Sequence, residues 1–276
     1  MLRLALLALT LAACSGSVDS SDPGDSGESP EQELAALDML DGKADGASMW
    51  TLVGTGVAYE QVNTGHAVII AYGGYTARLT DSASWASELV DAKLGAEDVG
   101  HIFAVRGPRD PAYSAREIGN SKLRHFLATL DDSGPIYVVA HSSGSYVAHE
   151  LFEQLEAAGD TATLSRIEYH DLDGGGTGLT SSIVAELGRV QFVYAHDPAA
   201  GYSHNASTAQ ALASDYAPKA TPFEVTVSNT GCHSGATWCL HDVLVTHRPH
   251  DPSTFDLALD YTDFAQRPVT DEYFTP

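Results

Sequence analysis

An α/β fold with a mostly parallel central sheet, flanked by helices on both faces, is predicted by three features of this sequence. From Thr51 onward short apolar runs alternate with amphipathic ones, the pattern of strands and helices taking turns. Two of the apolar runs, Ala67–Tyr72 and Ile136–Ala140, are continuous and rich in β-branched residues, as strands buried on both faces are. The second run ends in Ala140-His141-Ser142-Ser143-Gly144 and passes directly into a helical pattern, so strand, tight turn and helix follow one another around a serine.

Taken in order, Met1 to Ala13 carries Arg3 and a leucine- and alanine-rich core too short to span a bilayer, which reads as a secretory signal. Residues 15–48 are rich in Ser, Gly, Asp and Glu and lack core-forming residues, the composition of a disordered tether. Within it, Leu34, Leu37 and Leu40 have helical spacing but span only one or two turns, too few to hold a helix alone. Asp41 to Gly46 hints at a calcium loop, yet Lys43 and Leu52 stand where oxygen ligands belong, so calcium is not expected.

The folded region is expected over residues 49–276 as one large domain, since the chain suffices for a substantial core. Thr51–Tyr59 alternates weakly and Ala67–Tyr72 forms a buried strand ending in Gly73-Gly74-Tyr75. A helix over Ser82–Leu94 puts Trp85, Leu89 and Val90 on one face, and a strand follows at His101–Val105. A second helix over Ser114–Leu130 carries Ile118, Leu123, Phe126 and Leu127, and the turn-forming stretch Asp131 to Pro135 introduces the serine-bearing strand. After a helix over Ser143–Ala158, strands are expected at Ile167–Asp171, Val190–Ala195 and Phe223–Ser228, and a last helix near Ser253–Phe264 precedes the tail.

The turn around Ser142 has the shape of a nucleophile elbow: small residues two before and two after the serine, Ala140 and Gly144, let the strand and helix backbones pass closely. A serine hydroxyl becomes nucleophilic when an imidazole removes its proton, and a carboxylate fixes that imidazole's tautomer. In an open α/β sheet functional groups gather at the carboxyl ends of strands. Asp173 follows the first strand after the elbow, Asp197 the second, and His233 and His241 the third.

From about Thr51 to the C-terminus the chain therefore resembles the serine-hydrolase branch of the α/β-hydrolase family, departing from its usual elbow where Ala140 replaces a glycine. The resemblance implies an α/β-hydrolase fold and a Ser-acid-His order. It favours Asp197 over Asp173 as the acid, because the family most often carries the acid on the second strand after the elbow. It also implies an oxyanion hole made by backbone N–H groups of Ser143 and of Gly74 or Tyr75. His241 is favoured over His233 as the base: a disulfide between Cys232 and Cys239 would close the loop carrying His233 and give His241 a rigid mount. His141, His149, His196, His204, His247 and His250 are assigned structural roles.

The expected activity is ester hydrolysis through an acyl-serine intermediate, on a small-molecule or polymeric ester, with no cofactor and no metal. Zinc held by Cys232, Cys239, His233 and His241 is the competing reading, but their order matches no usual structural zinc spacing. Two other readings keep the same fold: an amidase or peptidase with the same triad, and a non-catalytic binding module. The chain's 14 basic and 37 acidic residues leave a formal net charge of −23. That excess would repel nucleic acid and anionic membrane surfaces, so nucleic acid is excluded as a partner. Membrane contact is expected only through the N-terminus, where Leu11-Ala12-Ala13-Cys14 resembles a bacterial lipobox and implies a lipid-modified Cys14 and a place in the cell envelope.

Overall fold

The computed structural model describes residues 50–62, 64–90, 99–109, 118–130, 134–198, 201–226, 240–241 and 244–245, together with Gln32 and Ala35. The expectations for Cys14, for the tether apart from Gln32 and Ala35, for His233, the Cys232–Cys239 pair and the helix at 253–264 lie outside the described residues.

Strands β1 (Thr51–Gly54) and β2 (Val57–Gln61) form an antiparallel hairpin, and β2 runs antiparallel to β4 (Val99–Val105). From β4 the sheet continues in parallel through β3 (Ala67–Tyr72), β5 (Ile136–His141), β6 (Ile167–Leu172), β7 (Arg189–Asp197) and β9 (Ala220–Thr226). A two-residue strand, β8 (Tyr202–Ser203), lies antiparallel against the end of β7. The order β1-β2-β4-β3-β5-β6-β7, with one antiparallel edge on a parallel sheet, is the α/β-hydrolase fold that the elbow resemblance implies.

Each central strand buries both faces, and side chains sort by the period of two. Val68, Ile70 and Tyr72 of β3 join one apolar cluster. Helices α2 (Asn120–Thr129), α3 (Gly144–Ala157), α4 (Thr161–Arg166), α5 (Ser181–Glu186) and α6 (Ala206–Asp215) supply its cover through residues such as Leu123, Leu151, Leu164, Ile183 and Ala209. Ile69 and Ala71 face the opposite cluster, closed by Leu79, Trp85 and Leu89 of α1 (Leu79–Leu89) and by Leu240 and Leu244. Among the described residues no helix is long and apolar enough to cross a membrane.

Three local differences from expectation have identifiable causes. The weak alternation over Thr51–Tyr59 is two strands, since Thr55-Gly56 turns the chain with Gly56 at φ 63°. Helix α1 begins at Leu79, ahead of Ser82, because the Asp81 carboxylate accepts the Arg78 N–H at 3.0 Å. The helices α4 and α5 are six residues each, too short to leave a periodic signature. Their N-caps carry the signal instead: Asp160 accepts the Thr163 N–H at 3.1 Å and Thr180 accepts that of Ile183 at 3.2 Å.

Candidate active site

Ser142 stands at the carboxyl end of β5 with φ 53°, in the left-handed region that a residue with a Cβ enters only when its surroundings force it. Two sets of bonds hold it there. Its N–H donates to the Leu172 carbonyl at 2.9 Å, tying it to the end of β6. Its carbonyl accepts both the Ser145 N–H at 3.1 Å and the Ser145 hydroxyl at 2.6 Å, which fixes the first turn of α3.

Packing beneath the turn leaves no room for side chains. A Cβ on Gly144 would come within 2.5 Å of the Gly73 carbonyl oxygen and 2.7 Å of that of Tyr72, so the helix start lies directly on the loop after β3. That loop in turn approaches the serine: a Cβ on Gly74 would meet His141 Nδ1 at 2.9 Å and Ser142 Cβ at 3.3 Å. Gly74 thus lies beside Ser142, and Ser143 follows it as the buried N-cap residue of α3. Tyr75 follows Gly74 with its side chain 40% exposed.

His241 is 6% exposed and reaches the site across the sheet edge. Its Nδ1–H donates to Asp173 Oδ2 at 2.5 Å, which leaves Nε2 as the proton acceptor. His141 holds it from the other side: the His141 Nε2–H donates to the His241 carbonyl at 3.0 Å, and the two rings lie 4.4 Å apart between centroids.

The carboxylate in this pair is Asp173, whereas the sequence favoured Asp197. Asp173 directly follows β6, the sheet neighbour of β5, and turns the chain with φ 55° while its N–H donates to the Val193 carbonyl at 2.9 Å. Asp197 ends β7, one strand further from Ser142, where it is 3% exposed and pairs across with Tyr202. Burial, and then the Asp197 charge, push the Tyr202 phenol upward. The expectation rested on where the family most often carries its acid; the carboxylate that meets His241 here follows β6, the strand next to the elbow strand.

A second imidazole meets the same oxygen. His204 Nδ1 donates to Asp173 Oδ2, while Asp173 Oδ1 is buried with no hydrogen-bond partner among the described residues. Burial alone would raise the Asp173 carboxyl, but the hydrogen bonds from His204 and His241 outweigh it and hold the group well below the usual carboxylate range. Asp173 is therefore held as the anion that accepts from both imidazoles. His204 was assigned a bystander's structural role by the sequence. Nothing in its spacing marks it, because the bond depends on β8 and the turn after it folding back over β6.

The loop after β6 rests on a buried polar layer. Asp171 accepts the Gly174 N–H at 2.9 Å, and Ser145 Oγ accepts that of Gly175 at 3.3 Å. Burial, opposed in part by the Gly174 bond, pushes the Asp171 carboxyl well above its ordinary value. Among the described residues, Asp173, His204 and His241 are also a group with metal-binding atoms within 4.8 Å of one another. Both histidines already spend Nδ1 on the carboxylate, so a cation bound through those two nitrogens would have to displace both hydrogen bonds.

Neither a family model nor any curated protein matches this chain. Solved structures similar to it include an esterase of Pyrobaculum calidifontis, 12% identical, covering 75% of this chain and 83% of that one with a TM-score of 0.45. An esterase/lipase from an uncultured bacterium is 11% identical and covers 91% of this chain and 92% of that one, with a TM-score of 0.42. A protein of Thermus thermophilus is 12% identical over 64% of this chain and 88% of that one, also at 0.42. These are likenesses of backbone arrangement, and no residue role is carried over from them.

Proposed function

We propose that this protein is a serine hydrolase that cleaves carboxylic esters, with Ser142 as nucleophile, His241 as general base and Asp173 as the carboxylate that orients it. The observation that carries this reading is the conjunction at one sheet edge of a left-handed serine and a buried His241–Asp173 pair joined through Nδ1, the bond that makes Nε2 the basic nitrogen. In the reaction Ser142 Oγ attacks the ester carbonyl carbon as its proton passes to His241 Nε2. The oxyanion that forms draws on the N–H groups of Ser143 and Gly74, or Tyr75 in place of Gly74. His241 then gives its proton to the departing alkoxide, and a water, deprotonated by the same nitrogen, releases the acid and restores Ser142.

A fluorophosphonate probe tests the reading: it should form a covalent adduct on Ser142, found by peptide mapping, and none in Ser142→Ala. Turnover of p-nitrophenyl esters well above that of the matching anilides would identify an esterase, and the reverse an amidase. A native protein that takes no label and turns over neither belongs with the binding modules of this fold.

We further propose that the chain is exported and anchored by a lipid on Cys14, with Cys232 and Cys239 joined as a disulfide. Cys14→Ser should move the protein from the membrane fraction to the soluble one. Persistence of the variant in membranes, with no lipid on the native protein by mass spectrometry, would refute the anchor.

A further inference from the structure

We propose that His204 is a positioning residue of this site: by donating its Nδ1–H to the same oxygen of Asp173 that holds His241, it fixes the carboxylate and restrains the basicity it lends to His241. The proposal rests on the serine-hydrolase reading of Ser142, His241 and Asp173.

The geometry around His204 is built from both sides. Its N–H donates to the Ala195 carbonyl at 3.2 Å, which ties it to β7. The next residue, Asn205, takes φ 52° and donates its side-chain amide to the Gly174 carbonyl at 2.8 Å. Two successive residues of one turn therefore grip two successive residues of the loop after β6. Asn205 already supplies a purely structural clip, and His204 adds a bond to the one oxygen that His241 uses. The His204 and His241 rings lie 5.1 Å apart between centroids.

Two donors on one carboxylate oxygen divide its negative charge between them, so each feels a weaker acceptor than it would alone. A protonated His241 is then stabilised less by Asp173 than in a site with a single imidazole. Removing His204 returns that oxygen to His241, and a protonated, inactive base persists to higher pH. Among the described residues, other titratable groups near the pair are Asp171 on β6, whose carboxyl the Asp173 charge also reaches, and His141 from the end of β5. Asp197 and Tyr202 stand on the β7–β8 pair that leads into the turn. Substitution at 204 leaves all of these in place.

The experiment is the pH dependence of ester turnover by the full chain, with probe labelling of Ser142 as a parallel readout. In His204→Ala the acid limb of kcat/KM should move to higher pH by about one unit, and the plateau kcat should fall about tenfold with KM nearly unchanged. His204→Asn, whose amide nitrogen falls where Nδ1 lies, should recover most of both. A His204→Ala profile that overlays the native one, or a His204→Asn variant as impaired as His204→Ala, would overturn the proposal. So would loss of native activity to EDTA with recovery in zinc, which would give the three residues to a metal. If His204→Ala does not fold, nitrogen-15 NMR of the native protein decides: both His204 and His241 should carry a proton on Nδ1 at pH 8, and a bare His204 Nδ1 overturns the inference. A native protein that takes no probe on Ser142 removes the hydrolase reading and this one with it, whereas a labelled native protein indifferent to position 204 removes this one alone.

Discussion

Asp173 and His241, 68 residues apart in sequence, meet at 2.5 Å through Oδ2 and Nδ1, and that single bond selects the tautomer in which Nε2 can take a proton. The adjacent strands β5 and β6 bring the elbow and Asp173 to one edge, where the bond sets His241.

Asparagine at position 173 should be far more damaging than at 197. An amide can donate to Nδ1 and so hold the imidazole in the wrong tautomer, a loss on the order of 10³ to 10⁴-fold in kcat. Asp197→Asn should cost less than about tenfold, because Asp197 sits one strand further from the serine beside Tyr202. Steady-state ester kinetics on variants with native circular dichroism checks the ranking. Equal losses at the two positions would remove Asp173 from its role.

The left-handed backbone at Ser142 gives a prediction about stability. A residue with a Cβ in the left-handed region costs about 1–2 kcal/mol, and the extra freedom of glycine in the unfolded chain returns about 0.4–1 kcal/mol of that. Ser142→Gly should therefore be more stable than Ser142→Ala by about 1 kcal/mol, a rise of about 2–4 °C in Tm for a domain of this size, although neither variant takes the probe. Calorimetry of the two inactive proteins makes the comparison. A Ser142→Ala protein at least as stable as Ser142→Gly would mean that the φ of 53° is not maintained in solution.

Much of this arrangement was legible beforehand, and the reasons are specific. Ala67–Tyr72 and Ile136–Ala140 betray parallel strands because both faces are apolar, and Ala140, Ser142 and Gly144 betray the elbow because the Gly144 position tolerates no Cβ against the Gly73 and Tyr72 carbonyls. The acid was ambiguous for a physical reason: Asp173 and Asp197 both follow strands, and only the turn at Asp173, with its φ of 55° and its bond to Val193, determines which carboxylate meets the imidazole. His204 and His141 are invisible in the sequence, since each meets its partner between segments distant in the chain. Asp171 reads in the sequence as one more residue of a strand, and only its burial in the fold pushes its carboxyl above the ordinary value.

The buried layer under the site also sets a pH dependence of stability. His149 donates from Nδ1 to the Thr177 carbonyl at 2.7 Å and accepts at Nε2 from the Tyr169 hydroxyl at 2.9 Å, so it is neutral in the fold. Burial lowers it to about 4, against the weaker raising effect of the Thr177 bond, and burial with the Arg189 charge lowers His170 to about 3. For a group whose folded value is depressed, the stability it contributes is intact above its ordinary value of 6.5 and is lost as pH falls toward the folded one. His149 and His170 should thus weaken the fold progressively from about pH 6.5 down to about 4, on the order of 3 kcal/mol for His149 alone at the bottom of that range. Asp171 has the opposite sign: its folded carboxyl is raised, so its contribution is full below its ordinary value of 3.8 and declines as pH rises. Urea midpoints measured from pH 8 to pH 4 should fall, and His149→Gln, which does not titrate, should flatten that fall while lowering the midpoint at pH 8. Asp171→Asn, an isostere of the protonated acid, should gain on the native protein as pH increases. A His149→Gln slope as steep as the native one would place the acid sensitivity elsewhere in the molecule.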